Sequence, residues 1–167
     1  SPLRRLEAEA LRDAMLAVAD ELDPQMTGSL LHVPNRGYFF DHTSKDETRY
    51  NVPRRSVYLP VVRNHPYDVF TLFDYTDASV MTGDRATTTV APQALFLLNS
   101  KLVDRISRKL ANTVLGTPAA DDAERIDRLC EQVLGRPAST DDLERCSRFL
   151  EQVRQALPPG SGPIDSW

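Results

Sequence analysis

The apolar residues of this 167-residue chain recur at helical spacing in four stretches. In the first stretch, residues 3–23, intervals of three and four predict a buried face, and a second stripe of mostly small residues predicts close packing beside it. The first face consists of Ala8, Leu11, Met15, Val18 and Leu22, and the second of Leu6, Ala10, Ala14 and Ala17. Charged residues such as Arg12 occupy the remaining positions, which is typical of a solvated helix face.

A short apolar run at residues 94–98 and then three further helical stretches follow in the second half of the chain. Residues 94–98 are apolar on all sides, which predicts a fully buried turn, and Gln93 just before them is interpreted as satisfying buried backbone groups. Ser100 is placed to cap the next helix. The last two stretches predict a helical hairpin that turns at Gly135, and Ser139 begins a near capping box at the start of its second helix.

One short run of β-branched and aromatic residues interrupts this helical pattern at residues 54–63. Val57, Leu59 and Val61 alternate with polar or proline positions, and a period of two predicts an extended segment or strand. Arginines open and close the run. The sequence therefore predicts a mainly helical fold, with one short extended segment at its centre and a helical hairpin at its C-terminal end.

Length and composition indicate how the chain is organised. Residues 1–157 are interpreted as a single domain, and the proline- and glycine-rich residues 158–167 as a flexible tail. The net charge of −4, with no basic stripe, argues against a dedicated nucleic-acid-binding protein. No apolar run approaches membrane-spanning length. Because the chain opens without an initiator methionine, we expect it to be an excised piece of a longer protein or a processed product.

Several polar residues between positions 25 and 53 are of types that bind metal ions, but their spacing is not that of a metal site. They include His32, Asp41, His42, Asp46 and Glu47. Their spacing matches no known ligand frame, so a solvated loop is favoured and no metal site is predicted. No Gly-x-Ser-x-Gly sequence is present either, and no catalytic residue is assigned. The sequence leaves open whether the chain is part of an enzyme, and it favours a chain that is not catalytic alone.

Four arginines and one aspartate form the candidate ligand site. They are Arg54, Arg55, Arg63, Asp74 and Arg85. A guanidinium group matches carboxylate, sulfate or phosphate oxygens in a bidentate manner, so several arginines near one segment predict an anion pocket. In the alternative interpretation, Arg54 or Arg55 pairs with Asp74, Asp77 or a glutamate of the first helix and fixes the segment to the core. This structural role is favoured, because a partly buried arginine usually has a carboxylate partner.

Four segments carry a resemblance to a known family. They are residues 4–14, 54–60, 88–99 and 134–137. In their order along the chain and in their amino-acid sequences, they resemble the C-terminal part of the planctomycete domain of unknown function 1553. The resemblance implies a part of a large, exported protein that also carries a cytochrome-c-like region, and hence a location in the periplasm or cell envelope. It transfers no catalytic residue. Because Cys-x-x-Cys-His is absent here, any haem belongs elsewhere in the parent protein.

Two functions from different classes are compatible with these observations. The first is a non-catalytic structural or binding module whose partners are other domains of the parent protein or an anionic glycan. The second is the C-terminal half of a catalytic domain whose active site is completed by the family's N-terminal portion. Inward, carboxylate-paired arginines favour the first function, and arginines that converge with Asp74 on an open cleft favour the second.

The two cysteines face each other across the predicted hairpin. Cys130 lies five residues before Gly135 and Cys146 seven residues after Ser139, so their heights above the turn differ by about 3 Å. Helices about 8–10 Å apart bring such positions close to disulfide range. The exported location implied by the resemblance would permit oxidation, and we predict either a disulfide that closes a loop of about 15 residues or two reduced core cysteines.

Overall fold

The structure is a computed structural model that describes residues 5–26, 28–31, 33–34, 37, 48–62, 65–77, 80–158 and 160–162. The described residues contain six α-helices, one 3-10 turn and no strand. The helices are α1 (Ala8–Val18), α2 (Asp68–Leu72), α3 (Ala91–Asn99), α4 (Lys101–Gly116), α5 (Asp122–Leu134) and α6 (Thr140–Ala156), and the turn is Ser56–Tyr58. The predicted mainly helical fold class is confirmed. No helix of the described residues is long and apolar enough to cross a membrane.

The chain divides into two compact units, Ser1–Asn99 and Ser100–Trp167. The first contains α1, α2 and α3, and the second contains α4, α5 and α6. The interpretation of residues 1–157 as a single domain stays a prediction. The predicted flexible tail at 158–167 lies largely outside the described residues.

Helix α1 buries a different face from the predicted one. It begins at Ala8 and ends at Val18, and Asp20 follows with a left-handed φ of 52° that stops the helix. The buried positions, at intervals of four, four and three, are Ala8, Arg12, Leu16 and Ala19. Arg12 is only 1% exposed, so its prediction as part of a solvated face is wrong. The apolar pattern could not show this stripe, because an arginine occupies its centre.

The Arg12 side chain binds residues 52–56. Its Nη1 donates to the carbonyl oxygen of Arg54 at 2.8 Å and to the hydroxyl of Ser56 at 3.2 Å, while Nη2 donates to the carbonyl oxygen of Val52. Asp13 completes the arrangement, because its Oδ1 accepts from the backbone N–H and the hydroxyl of Ser56 at 2.8 and 2.6 Å. Residues 52–56 are therefore held to α1 by polar groups of two adjacent helical residues.

The segment at 54–63 is extended only at its flanks. Arg54 forms a parallel bridge with Asp23, and the 3-10 turn over 56–58 interrupts the extended backbone. The buried residues are Ser56, Leu59 and Val62, whereas Val57 and Val61 are exposed. The burial period is thus three rather than the predicted two, because the 3-10 turn rotates the chain by one position. Arg55 before the turn and Leu59 after it retain extended conformations, each with ψ of 138°.

Aromatic rings pack in sequence through the first unit. Tyr50 stacks on Tyr67 with ring centroids 4.9 Å apart, Tyr67 contacts Phe70 edge-on at 5.2 Å, and Phe70 stacks on Tyr75 at 5.0 Å. The Arg12 guanidinium lies over the Tyr67 ring, 5.7 Å from its centroid. This contact adds a cation–π attraction to the hydrogen bonds of Arg12.

Helix α3 is not buried as predicted. Gln93 is its one buried residue, and its Nε2 donates to the carbonyl oxygens of Leu72 and Thr88 at 3.0 and 3.3 Å. The interpretation of Gln93 as a partner of buried backbone is therefore confirmed. Because Gln93 takes the inward position, Leu95 and Leu98 point outward and are 57% and 81% exposed.

The second unit forms as the sequence predicts. Ser100 caps α4 by accepting from the backbone N–H of Val103 at 3.1 Å. Helices α5 and α6 form the predicted hairpin, with Gly135 in a left-handed conformation at the turn and a full capping box at the start of α6. Its core consists of Ile126, Cys130 and Leu150, with Ala138, Leu143 and Cys146 packed against it.

Replacement of Arg12 should destabilise the first unit strongly. Arg12→Met keeps much of the aliphatic volume but leaves two carbonyl oxygens without their donor and Asp13 without its ion-pair partner. We expect the free energy of unfolding to fall by about 3 kcal/mol, as for a buried charge pair that loses one partner. Urea unfolding followed by circular dichroism measures this loss.

Arg55→Met is the matched control. The Arg55 side chain is exposed, and no hydrogen bond or ion pair joins it to another residue in the described part of the chain. We expect its free energy of unfolding to stay within about 0.5 kcal/mol of the wild type. Equal unfolding midpoints for the two variants would contradict the role given to Arg12.

Candidate functional site

A cleft of about 290 Å³ lies in the first unit, beside the N-terminal end of α1. Its charged lining residues are Arg5, Glu7, Asp74, Asp84 and Arg85. Two of the five predicted ligand-binding residues, Asp74 and Arg85, thus lie together. The other lining residues are Leu6, Phe73, Ala86 and Thr87.

Asp74 accepts hydrogen bonds from Thr88 and Arg5. Its Oδ2 accepts from the backbone N–H of Thr88 and its Oδ1 from the Thr88 hydroxyl, both at 2.7 Å. Arg5 Nη1 lies 3.4 Å from Oδ2. The backbone N–H of Thr88, followed by its hydroxyl, holds the pKa of Asp74 below its usual value. Asp74 is therefore an ionised carboxylate that binds Thr88 and Arg5, and it is a weak base.

Arg85 is committed to carboxylates of the first helix. Its Nη1 and Nη2 bind the two oxygens of Glu9 at 2.8 and 2.9 Å, and Nη1 also lies 3.1 Å from Glu7 Oε2. The hydrogen bond with Glu9 raises the pKa of Arg85. Burial alone would raise the pKa of Glu9, but the hydrogen bonds of Arg85 hold it below its usual value. The structural pairing predicted for Arg54 or Arg55 is thus made by Arg85.

Arg54 and Arg55 do not line this cleft. Arg54 donates from Nη1 to the carbonyl oxygen of Gly28 at 3.1 Å, and its Nε lies 4.0 Å from Asp23 Oδ2. Arg55 is exposed, and Arg63 lies outside the described residues. Among the candidates that the structure describes, Asp74 and Arg85 lie together and Arg54 and Arg55 lie outside the cleft, and the anion site at all five residues stays a prediction.

The charge balance of the cleft does not favour an anion. Its described lining residues carry two guanidinium groups and three carboxylates, and both guanidinium groups already contact carboxylates. A cationic or uncharged polar group of another molecule matches this surface better than a sulfate or a carboxylate.

No metal site is formed by the described residues. Within them, no group of three His, Cys, Asp or Glu side chains is placed to hold a metal ion. The residues with metal-ligand chemistry that the sequence singled out, His32 and those at 41–47, lie outside the described part of the chain.

The sequence did not predict which partners the charged residues of α1 and its N-terminal flank would bind. Their spacing of four would let Arg5 and Glu9 pair on one helix face. Instead Arg5 contacts Asp74, Glu9 binds Arg85, and Arg12 binds residues 52–56. One signal was available: Arg12 lies four residues from both Ala8 and Leu16, so the three share a face.

The two cysteines lie in one apolar cluster of the second unit. Cys130 is buried and Cys146 is half-buried, and both thiols are free in the structure. Burial raises the pKa of the Cys130 thiol, and the nearby Asp142 carboxylate adds to this effect. The disulfide between Cys130 and Cys146 stays a prediction.

The pH dependence of stability should report the hydrogen bonds of Asp74. Because its folded-state pKa is lowered, Asp74 stabilises the fold above about pH 4, and this contribution is lost as the pH falls through the folded-state pKa. We expect the wild-type melting temperature to fall more steeply between about pH 5 and pH 3 than that of Asp74→Asn. Thermal unfolding at a series of pH values measures both slopes.

Asp104→Asn is the control for loss of one exposed carboxylate. Identical slopes for wild type, Asp74→Asn and Asp104→Asn would show that the Asp74 hydrogen bonds carry no pH-dependent stability.

The reactivities of the two thiols should differ in the reduced, native protein. Iodoacetamide reacts with the thiolate, so we expect it to alkylate Cys146 faster than the buried Cys130, whose pKa is raised. Mass spectrometry of peptides at successive times gives both rates, and equal rates would contradict the arrangement described here.

The same reagent tests the disulfide after the protein is made in an oxidising compartment and purified without reductant. Two alkylated cysteines per unfolded chain would rule out the bridge, and protection of both until a reductant is added would establish it.

Comparison with known proteins places the chain in a family. A family model described as "PSD1: Protein of unknown function (DUF1553)" matches residues 1–150. No curated protein and no solved structure matches the chain. The family match covers most of the chain, and it confirms the resemblance carried by the four sequence segments. The chain therefore belongs to the DUF1553 family of proteins of unknown function.

Proposed function

We propose that this chain is a non-catalytic structural and binding module of a larger, exported, cytochrome-c-linked protein. In this proposal the exposed apolar face of α3 contacts another domain of the same protein. The link to a cytochrome and the location outside the cytoplasm rest on the family resemblance. The contact surface rests on the exposure of α3.

The exposed leucines of α3 carry the proposal. None of the nine residues of α3 is charged, yet Leu95, Leu97 and Leu98 are all exposed. A helix that is apolar all round is typical of a buried position. An exposed apolar surface of several leucines marks a contact with another protein surface.

The charged residues of the cleft support a structural role over a catalytic one. The alternative function, one half of an active site, is favoured by the convergence of Asp74 and Arg85 on an open cleft. A general base, however, needs a pKa near the working pH and a free lone pair. Asp74 has a lowered pKa and accepts two short hydrogen bonds from Thr88. Arg85 is already bound to Glu9.

A partner domain also fits better than the anionic glycan. The lining of the cleft carries more carboxylates than guanidinium groups, and like charges would repel an acidic sugar. The apolar face of α3 carries no charge that a glycan acid could bind.

Leu98→Asp tests the docking surface in two settings. In this chain alone the side chain is 81% exposed, so we expect the free energy of unfolding to stay within about 0.5 kcal/mol of the wild type. In the full parent protein the same change would bury an unpaired carboxylate at the interface, and we expect the melting temperature to fall by several degrees. Differential scanning calorimetry measures both proteins.

Met81→Asp is the matched control, because Met81 is fully exposed and lies outside α3. If Leu98→Asp destabilises the parent protein no more than Met81→Asp does, α3 is not the docking surface.

A further inference from the structure

Residues 86–90 connect the cleft to α3 and are exposed throughout. Their sequence, Ala-Thr-Thr-Thr-Val, has high strand propensity, and the structure places them in neither a helix nor a paired strand. They contain no lysine, proline or glycine, the residues that commonly protect an open strand edge.

The backbone hydrogen bonds of residues 87–90 alternate along the chain. Thr88 donates its N–H to Asp74, and its carbonyl oxygen accepts from Arg5 and Gln93. The backbone N–H of Val90 likewise donates to Gln93 Oε1 at 3.3 Å.

The backbone groups of Thr87 and Thr89 have no hydrogen-bond partner among the described residues. In an extended strand the N–H and C=O of one residue point to the same edge, and neighbouring residues point to opposite edges. One edge of the segment is therefore bound by side chains of the first unit, and the other edge is open.

We propose that this open edge pairs in antiparallel orientation with the same segment of a second copy of the chain. With a two-fold axis at Thr88, Thr87 of each copy lies opposite Thr89 of the other. Each such pair exchanges two backbone hydrogen bonds, so the two pairs satisfy all the open groups of residues 87 and 89.

The side chains match under the same symmetry. Opposed threonines are a favourable cross-strand pair, and Ala86 lies opposite Val90 of the second copy, so no like charges meet within the segment. An interface that uses the same patch on both partners is isologous, the commonest arrangement of dimers. This self-complementarity is why the observations favour a second copy over a strand of unrelated sequence.

A double substitution to proline tests the pairing. Thr87→Pro with Thr89→Pro removes the two open N–H groups and breaks no internal hydrogen bond. Proline also keeps the preceding residue extended, as the segment requires. Thr87→Val with Thr89→Val is the matched control, because valine retains the N–H and the strand propensity.

Sedimentation equilibrium over a range of protein concentrations gives the result. We expect the mass of the wild type and of the valine variant to rise from 18.7 kDa towards twice that value. The proline variant should associate at least tenfold more weakly. A wild type that stays at 18.7 kDa throughout would overturn the proposal, and so would a proline variant that dimerises like the wild type.

Hydrogen exchange of the wild type keeps the test decisive if the proline variant fails to fold. We expect the Thr87 and Thr89 amides to become protected as the protein concentration rises, and unchanged exchange would overturn the pairing. Leu98→Asp should leave the association unchanged, which separates this surface from the docking face of α3. A loss of dimer in Leu98→Asp together with retention in the proline variant would assign the contact to α3 instead.

Discussion

The burial of the Arg12 guanidinium is the constraint on which the first unit depends. A guanidinium group cannot be deprotonated in a protein, so a buried one must be surrounded by acceptors. Arg12 has two backbone carbonyl groups, a hydroxyl and a carboxylate around it, and the ring of Tyr67 beside it. Two of these acceptors are main-chain atoms, so Arg12 holds residues 52–56 mainly through their backbone, with one further bond to the Ser56 hydroxyl.

Two neighbouring charged residues extend the same organisation to the cleft. Arg5 contacts Asp74 and Glu9 binds Arg85, so α1 and its N-terminal flank contact three later parts of the unit through charged side chains. Exposed ion pairs contribute little individually, but these groups also carry hydrogen bonds to backbone and to each other. The organising element is therefore α1, whereas the sequence pattern pointed to residues 54–63.

Features that depend on residues close together in the sequence could be predicted, and features that depend on distant partners could not. The second unit was predictable because its caps, its turn glycine and its apolar periodicity are local and agree with one another, as at Ser100 and Gly135. The buried face of α1 was not, because a charged residue occupies its centre and its partners lie 40 or more residues away. The site was predicted in part. Asp74 and Arg85 were identified by chemistry, but their partners depend on tertiary contacts that no spacing reveals.

Gln93 links three parts of the first unit, which are the start of α3, the end of α2 and residues 86–90. One side chain accepts from the first backbone N–H before α3 and donates to the carbonyl oxygens of Leu72, at the end of α2, and of Thr88. Fraying of the first turn of α3 would therefore release the end of α2 and residues 86–90 in the same event. These parts should open as one cooperative unit. The conformation of the exposed edge of residues 86–90 therefore depends on the stability of the first turn of α3, a helix of nine residues.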